Sequence, residues 1–317
     1  MTTQADGTVA PALSAEELLA AVPQINELGL VLEVRSFRQL PGASLSYDDL
    51  FALADAIREV FDAGAVGAVV TQGTDTIEET AYFLDLMNDG RGPVVVTGAM
   101  RNPSMAGADG PANILAALRV ASRPKSPGAT VVVFADEVHA ANQVSKAHST
   151  SIAAFESWPG PIGYVAEDQV VYRAATTVAP RLAALRARGE RAARTVLATV
   201  ALGDDGQALE AVGQQADGLV VAGFGAGHVP SLCVPALEKL AGRVPVILAT
   251  RTGRGPVLAK TYGFPGSESD LLARGLISAG DLTPVKAKVQ LHTALMLGAS
   301  AAEIRTLFEE GHLRESR

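Results

Sequence analysis

GAVVTQGTDTIEET, residues 67–80, joins a β-branched apolar run to a helical pattern across one glycine turn. The run at 67–72 is short and Val-rich, so it reads as a buried strand. TIEETAYFLDLMNDG, from Thr76 onward, has helical spacing. Thr76 and Glu79 stand at capping-box spacing, which makes Thr76 the expected N-cap. A strand that feeds a helix through a polar turn is the repeating step of an α/β fold. Open parallel sheets place their sites at such carboxyl ends, and a helix N-terminus favours an anionic group. Thr74 and Asp75 stand at that point. On these grounds alone they read equally as a site or as a well-capped polar turn.

The same alternation extends outward. LVLEVR (30–35), PVVVTG (93–98) and TVVVFA (130–135) read as further strands, and residues 45–64 as a helix. RTVLATVALG (194–203), GLVVAGFGAG (218–227) and VPVILATR (244–251) repeat the style, with helices at 209–215, 232–242 and 285–298. Continuous apolar strands between helices imply mostly parallel sheets covered on both faces. The expected fold is therefore α/β, in two domains. A larger flavodoxin-like or Rossmann-like domain spans 1–178, and a smaller α/β domain with a parallel sheet spans 195–317. The Arg- and Ala-rich stretch 179–194 between them reads as a linker with a solvated basic face. The opening is unusual. A polar loop (Thr2 to Pro11) and a helix from Ser14 to Ala21 come first, so the first sheet is expected to lack its first strand.

Composition narrows the function classes. The chain has 317 residues, 48% hydrophobic and 19% charged, with a net charge of −8. That acidity argues against a nucleic-acid partner. No apolar run reaches the roughly 18 residues of a membrane span, so no membrane partner is expected. Nothing at the start resembles a secretory signal, and a cytoplasmic protein is expected. The single cysteine, Cys233, forbids an internal disulfide and reads as buried and structural. The histidines at 139, 148, 228, 292 and 312 lack metal-ligand spacing, so no metal is expected. GFGAGHVP (223–230) has His228 where a dinucleotide fingerprint needs its third glycine, and no cofactor is expected. There is no G-x-S-x-G elbow. Trp158 reads as a core or loop anchor.

Two other loops carry polar groups. Gly98-Ala99-Met100-Arg101 follows a strand, and Asp109 ahead of Pro111 reads either as a helix cap or as part of a site. Lys146, in NQVSKAHST, reads as a solvated loop lysine unless it reaches Thr74. A lysine that is neutral there can accept a hydroxyl proton, with an adjacent carboxylate tuning it.

Gln72–Thr80 resembles the second signature of bacterial-type L-asparaginases, HGTDTMEET. The resemblance continues through VVVTGAMR, ADGPANI, NQVSKAHST, GPIGYV, GFGAGH and LTPVKAKVQLHTAL, in order, over essentially the whole chain. It implies an amidohydrolase that converts L-asparagine to L-aspartate and ammonia through a threonine acyl-enzyme. It implies that Thr74, Asp75 and Lys146 form the second catalytic group and that Asp75 also holds the substrate's α-amino group. It further implies that Ser44 binds the α-carboxylate, that the Ala99 backbone faces the leaving amide nitrogen, and that Gly73 lines the substrate. A small-molecule substrate and a homo-oligomer, a tetramer built as a dimer of dimers, are implied as well. His228 or Glu268 would reach a neighbouring subunit's site.

Three departures stand out. The family's TGGTI segment, which carries the attacking threonine, is absent. Leu45 stands where glutamine is frequent, and His228 where many relatives have asparagine; both bear on asparagine-versus-glutamine preference. The first departure has two expected explanations. Either the start site is wrongly placed and about 10–20 further residues precede the lid-like stretch Met1–Gly7, or the chain is a non-catalytic asparagine- or aspartate-binding homologue. Thr2 as an N-terminal nucleophile is a third, minor idea.

Overall fold

Val94, Val95, Val96 and Thr97 are all buried, and this four-residue strand is the spine of the first sheet. The computed structural model describes residues 2–3, 9–10, 14–123, 130–175 and 181–310. It divides into two compact units, Met1–Val178 and Ala179–Arg317.

In the first unit, Thr2–Thr3 (β1) pairs antiparallel with Val9–Ala10 (β2), so the expected opening loop begins and ends in paired backbone. Ala15–Ala20 (α1) starts with a complete Ser14–Glu17 capping box. Tyr47–Asp62 (α2) starts with another, between Ser46 and Asp49. Then come Ala68–Thr71 (β3), Ile77–Met87 (α3), Val94–Thr97 (β4), Gly110–Ala121 (α4) and Thr130–Phe134 (β5). Glu137–Ala140 (β6), Val144–Lys146 (β7), Phe155–Ser157 (β8), Gly163–Ala166 (β9) and Gln169–Tyr172 (β10) follow. The main sheet has the order β10-β9-β6-β5-β4-β3. β3, β4 and β5 are parallel, and β6, β9 and β10 extend the sheet antiparallel. β7 and β8 form a separate antiparallel pair.

The two faces of the parallel part carry different helices. Val95, Val131 and Val133 pack with Ala116, Ala117 and Val120 of α4. Strand alternation turns Val94, Val96 and Val132 to the other face, where α3 lies against β4 and β5. α3 is buried nearly all round because α2 covers its outer side, with Phe51 edge-on to Phe83 at 5.0 Å. Where β4 exits, backbones touch. A Cβ on Gly98 would stand 2.3 Å from the Gln72 carbonyl oxygen, which only glycine permits.

Residues 30–35 do not form the expected strand. Leu30 and Leu32 instead pack, half-buried, against the cluster of Val22, Ile25, Ile114 and Leu118. Their alternating apolar pattern is satisfied by that cluster, and no strand among the described residues pairs with them. β3 is correspondingly the edge of its sheet and is only half-buried, while β4 is buried throughout.

The second unit contains Thr195–Thr199 (β11), Gln207–Gly213 (α5), Gly218–Gly223 (β12), Val234–Ala241 (α6) and Val246–Thr250 (β13). Glu268–Ala273 (α7), Ile277–Ser278 (β14), Pro284–Met296 (α8) and Ala301–Glu310 (α9) complete it. Its sheet is wholly parallel in the order β11-β12-β13-β14. Leu209, Leu237, Leu240 and Leu271 close one hydrophobic cluster over it. The segment at 183–188, expected as part of a linker, is a 3-10 helix, and Arg188 pairs with Glu303. Cys233 is buried with its thiol against the Asp204 carbonyl, and burial raises its pKa. Trp158 is not a core anchor: its side chain is 52% exposed in the loop after β8. No helix of the described residues is long and apolar enough to cross a membrane.

One buried and one half-buried histidine make this fold acid-sensitive. His139 is fully buried with Nδ1 2.9 Å from Ser157 Oγ, and burial lowers its pKa to about 4. His292 is lowered to about 4 by burial and then by Lys288. The unfolded chain takes up those protons below pH 6.5, and the folded chain only near pH 4. Stability is therefore full above pH 6.5 and falls as the pH drops toward 4. At pH 5 His139 alone should cost about 2 kcal/mol. Urea unfolding at pH 7 and pH 5 checks this, and His139→Asn should remove about half of the difference, leaving that of His292. A pH-independent midpoint would contradict it. Gly98→Ala, by contrast, should cost about 1–3 kcal/mol at any pH, because its Cβ has nowhere to go.

Candidate active site

The parallel pairing of β3 with β4 aligns Thr71 with Thr97, so their exit loops begin at one level. From β3 the chain runs through Gln72 and Gly73 into a 3-10 turn, Thr74–Thr76, and then directly into α3. Thr76 sits at the N-cap position but makes no side-chain cap, contrary to the capping-box expectation. Its hydroxyl is used elsewhere: Oγ1 accepts from Gln72 Nε2 at 2.9 Å and donates to the Gly42 carbonyl at 3.0 Å. That bond ties the turn Gly42–Ser44 against the turn Thr74–Thr76. The approach is tight, since a Cβ on Gly42 would lie 2.9 Å from the Gly73 carbonyl oxygen. Ser44 is thereby placed, exposed, on the turn beside Thr74 and Asp75.

Lys146 is not in a loop. It ends β7, whose pairing with β8 matches Lys146 to Phe155. Its backbone N–H donates to Glu78 Oε1 at 3.1 Å, which docks β7 onto the first turn of α3. From there its Nζ reaches Thr74 Oγ1 at 2.9 Å and Asp75 Oδ1 at 2.8 Å. The lysine side chain is 15% exposed and that of Asp75 66% exposed, so a largely covered amine meets a carboxylate that opens to solvent. Thr74, Asp75 and Lys146 therefore converge, across 72 residues of chain, at the carboxyl rim of the sheet.

The loop after β4 is held by Asp109, for which the sequence left a helix cap and a site role open. Asp109 occupies the N-cap position of α4 without capping it. Its carboxylate accepts the N–H groups of Met100, at 3.0 Å, and Arg101, at 2.9 Å. Asn113, 2% exposed, donates to the Gly98 carbonyl at 2.9 Å and accepts from Ala135 N–H at 3.0 Å. Ala99 lies between these anchors. Sequence reasoning missed Gln72, Glu78 and Asn113. Gln72 and Glu78 stood inside the quoted signature, but their contacts join segments far apart in the chain.

In the second unit, His228 and Glu268 are brought together. Glu268 is wholly buried, which alone would raise its pKa. Donation by the backbone N–H groups of Tyr262 and Thr261, and by His228, outweighs burial and holds the carboxyl below its ordinary value. An ionised carboxylate only accepts, so His228 Nε2 is the donor at 3.2 Å. Tyr262 and Phe264 stand edge-on to the His228 ring at 4.8 and 5.1 Å, and both are exposed. Among the described residues no group of His, Cys, Asp and Glu is arranged to hold a metal ion.

Residues 1–177 match the family model described as Asparaginase, N-terminal, and residues 194–308 match that of the Glutaminase/Asparaginase C-terminal domain. A probable L-asparaginase of Deinococcus radiodurans is 38% identical over 279 residues, covering 86% of this chain and 84% of that one. An L-asparaginase of Bacillus licheniformis is 33% identical, covering 96% and 94%. A glutaminase-asparaginase of Pseudomonas aeruginosa is 30% identical, covering 93% and 82%. The crystal structure of a probable cytoplasmic L-asparaginase from Campylobacter jejuni superposes with a TM-score of 0.84 at 31% identity, covering 97% and 94%. With both domain models matched in order and this fold shared, the chain belongs to the bacterial-type L-asparaginase family of amidohydrolases.

Proposed function

We propose that the chain acts on the side-chain amide of L-asparagine, giving L-aspartate and ammonia through a threonine acyl-enzyme. The observation that carries this reading is the Lys146 amine, whose Nζ is held between Thr74 Oγ1 and Asp75 Oδ1. A threonine oxygen attacks the amide carbon, a C–O bond forms, and the hydroxyl proton passes into the lysine-centred group. The C–N bond then breaks, the nitrogen takes a proton, and ammonia leaves. Water attacks the resulting ester, the C–O bond to threonine breaks, and aspartate departs as the hydroxyl regains its proton. Two such steps are each easier than one direct hydrolysis. Lys146 takes a proton only when neutral, and Asp75 stabilises the ammonium that forms.

The open side of Asp75 suits the substrate's α-ammonium. Ser44, on the adjoining turn, suits its α-carboxylate, and Ala99 the amide nitrogen. Gly73 and the backbone beside Thr74 line the position of the developing oxyanion. The same reading includes a homo-oligomer, a dimer of dimers in which His228 or Glu268 faces a neighbouring subunit's site. Cytoplasmic residence is also part of it. The Campylobacter jejuni protein is described as a probable cytoplasmic enzyme, although a Haemophilus influenzae relative, 33% identical, is named periplasmic.

A second reading has one specific observation in its favour: Lys146 Nζ already lies in an ion pair with Asp75 Oδ1 at 2.8 Å, a pairing that favours binding over proton uptake. On that reading the trio binds asparagine or aspartate without turnover.

Ammonia release and thermal melting with L-asparagine separate the two. Both readings expect asparagine to stabilise the chain, by about 2.7 kcal/mol at a hundredfold excess over Kd. The acylation reading adds ammonia release, reduced at least about a hundredfold in Lys146→Met and in Thr74→Val. Stabilisation without ammonia favours the binder. Neither stabilisation nor ammonia, or a Lys146→Met variant as active as its parent, would remove the asparagine reading.

A further inference from the structure

Ala99 is fixed from both sides by groups that do not belong to the Thr74–Asp75–Lys146 trio. On its N-terminal side the Gly98 carbonyl accepts from Asn113 Nδ2 at 2.9 Å. On its C-terminal side the Met100 N–H donates to Asp109 Oδ2 at 3.0 Å. Asn113 Nδ2 also donates to Asp109 Oδ2 at 3.2 Å, so the two clamps are one network. Arg101 N–H adds a second backbone donor to the same carboxylate.

Peptide planarity turns these contacts into directions. In a trans peptide the C=O and N–H point opposite ways. The Gly98 carbonyl points to α4, so the Ala99 N–H points away from it. The Met100 N–H also points to α4, so the Ala99 carbonyl points away from it too. α4 covers one face of the sheet, and α3, with Thr74 and Asp75 at its start, covers the other. The Ala99 carbonyl is thus aimed off the α4 face, toward the side on which the trio stands.

We propose that Asp109 and Asn113 are positioning residues that hold the Ala99 carbonyl as an acceptor for the N–H of a primary amide. In this way they set the preference for an amide over an ester or acid of the same shape. This rests on the asparagine reading above. A carbonyl held in one direction cannot rotate to relieve an ester oxygen placed opposite it, because rotation would break the Asp109 and Asn113 bonds. An amide nitrogen donates to it instead, and an unmatched buried acceptor costs more than a met one contributes.

The test is the ratio of affinities for L-asparagine and L-aspartate β-methyl ester, measured by calorimetry. The ester keeps the α-ammonium, the α-carboxylate and the size of the substrate, but has no amide N–H. The unmutated chain should bind asparagine roughly tenfold more tightly, the worth of one such hydrogen bond. In Asp109→Ala and in Asn113→Asp the ratio should fall to within about threefold. Asn113→Asp keeps an oxygen to accept Ala135 N–H, so the hairpin contact survives while the donors are lost. A general loosening of the loop would weaken both ligands equally and leave the ratio unchanged, which would overturn the inference.

A readout without mutation guards against variants that fail to fold. The amide ¹⁵N resonance of Met100 shares its peptide with the Ala99 carbonyl. It should move on adding asparagine and stay on adding the ester; equal shifts would overturn the proposal. Failure of both ligands to bind the unmutated chain would overturn the asparagine reading and this inference with it. Binding with no preference for the amide would overturn the inference alone.

Discussion

The parallel ladder between β3 and β4, Ala68 opposite Val94 through Thr71 opposite Thr97, is the constraint on which the rest of the site depends. Because the two strands run the same way and in register, the loops leaving them start at one level. Helices of opposite faces then begin from those loops, α3 from the first and α4 from the second. The 74–76 turn and the Gly98–Arg101 loop are therefore neighbours by construction. The contact between Gly98 and the Gln72 carbonyl is the tightest expression of that closeness.

A parallel core alone does not complete the trio, because Lys146 arrives from the antiparallel part of the unit. β5 turns back through Ala135 and Asp136, both at positive φ, into β6. Side-chain-bearing residues reach that region only when neighbouring groups hold them there, and Asn113 supplies one such bond to Ala135. The chain then forms the short β7–β8 pair, and Glu78 grips the Lys146 backbone. One carboxylate at the start of α3 thus fixes the strand, while its near neighbour Asp75 meets the amine. The charge of the lysine is balanced at the rim, and its stem stays covered.

The two units use the same physical device in different ways. In each, a carboxylate is stabilised by backbone N–H groups from a loop: Asp109 by Met100 and Arg101, Glu268 by Thr261 and Tyr262. In each, a polar side chain is oriented by that carboxylate, Asn113 in the first unit and His228 in the second. Carboxylates satisfied by backbone donors fix loop shape without the entropy cost of long side-chain pairs.

The sequence by itself determined the longer parallel strands of both sheets from β3 onward, but not the short antiparallel ones or the two-residue parallel β14. It also determined most of the helices, though not α7 or α9, and the candidacy of Thr74 and Asp75. Those rest on periodicity and composition, which act over a few residues and can be read there. It misplaced 30–35, because an alternating apolar pattern is satisfied as well by packing on Ile114 and Leu118 as by a ladder. It misread Thr76, because a hydroxyl at cap spacing went to the Gly42 carbonyl, 34 residues away. Only the tertiary structure decided that Lys146 meets Thr74, that Glu78 and Asn113 matter, and that Asp109 holds a loop rather than caps a helix. Each of those outcomes is a hydrogen bond between segments whose separation in sequence carries no periodic signal, and register and layering alone bring such partners within reach.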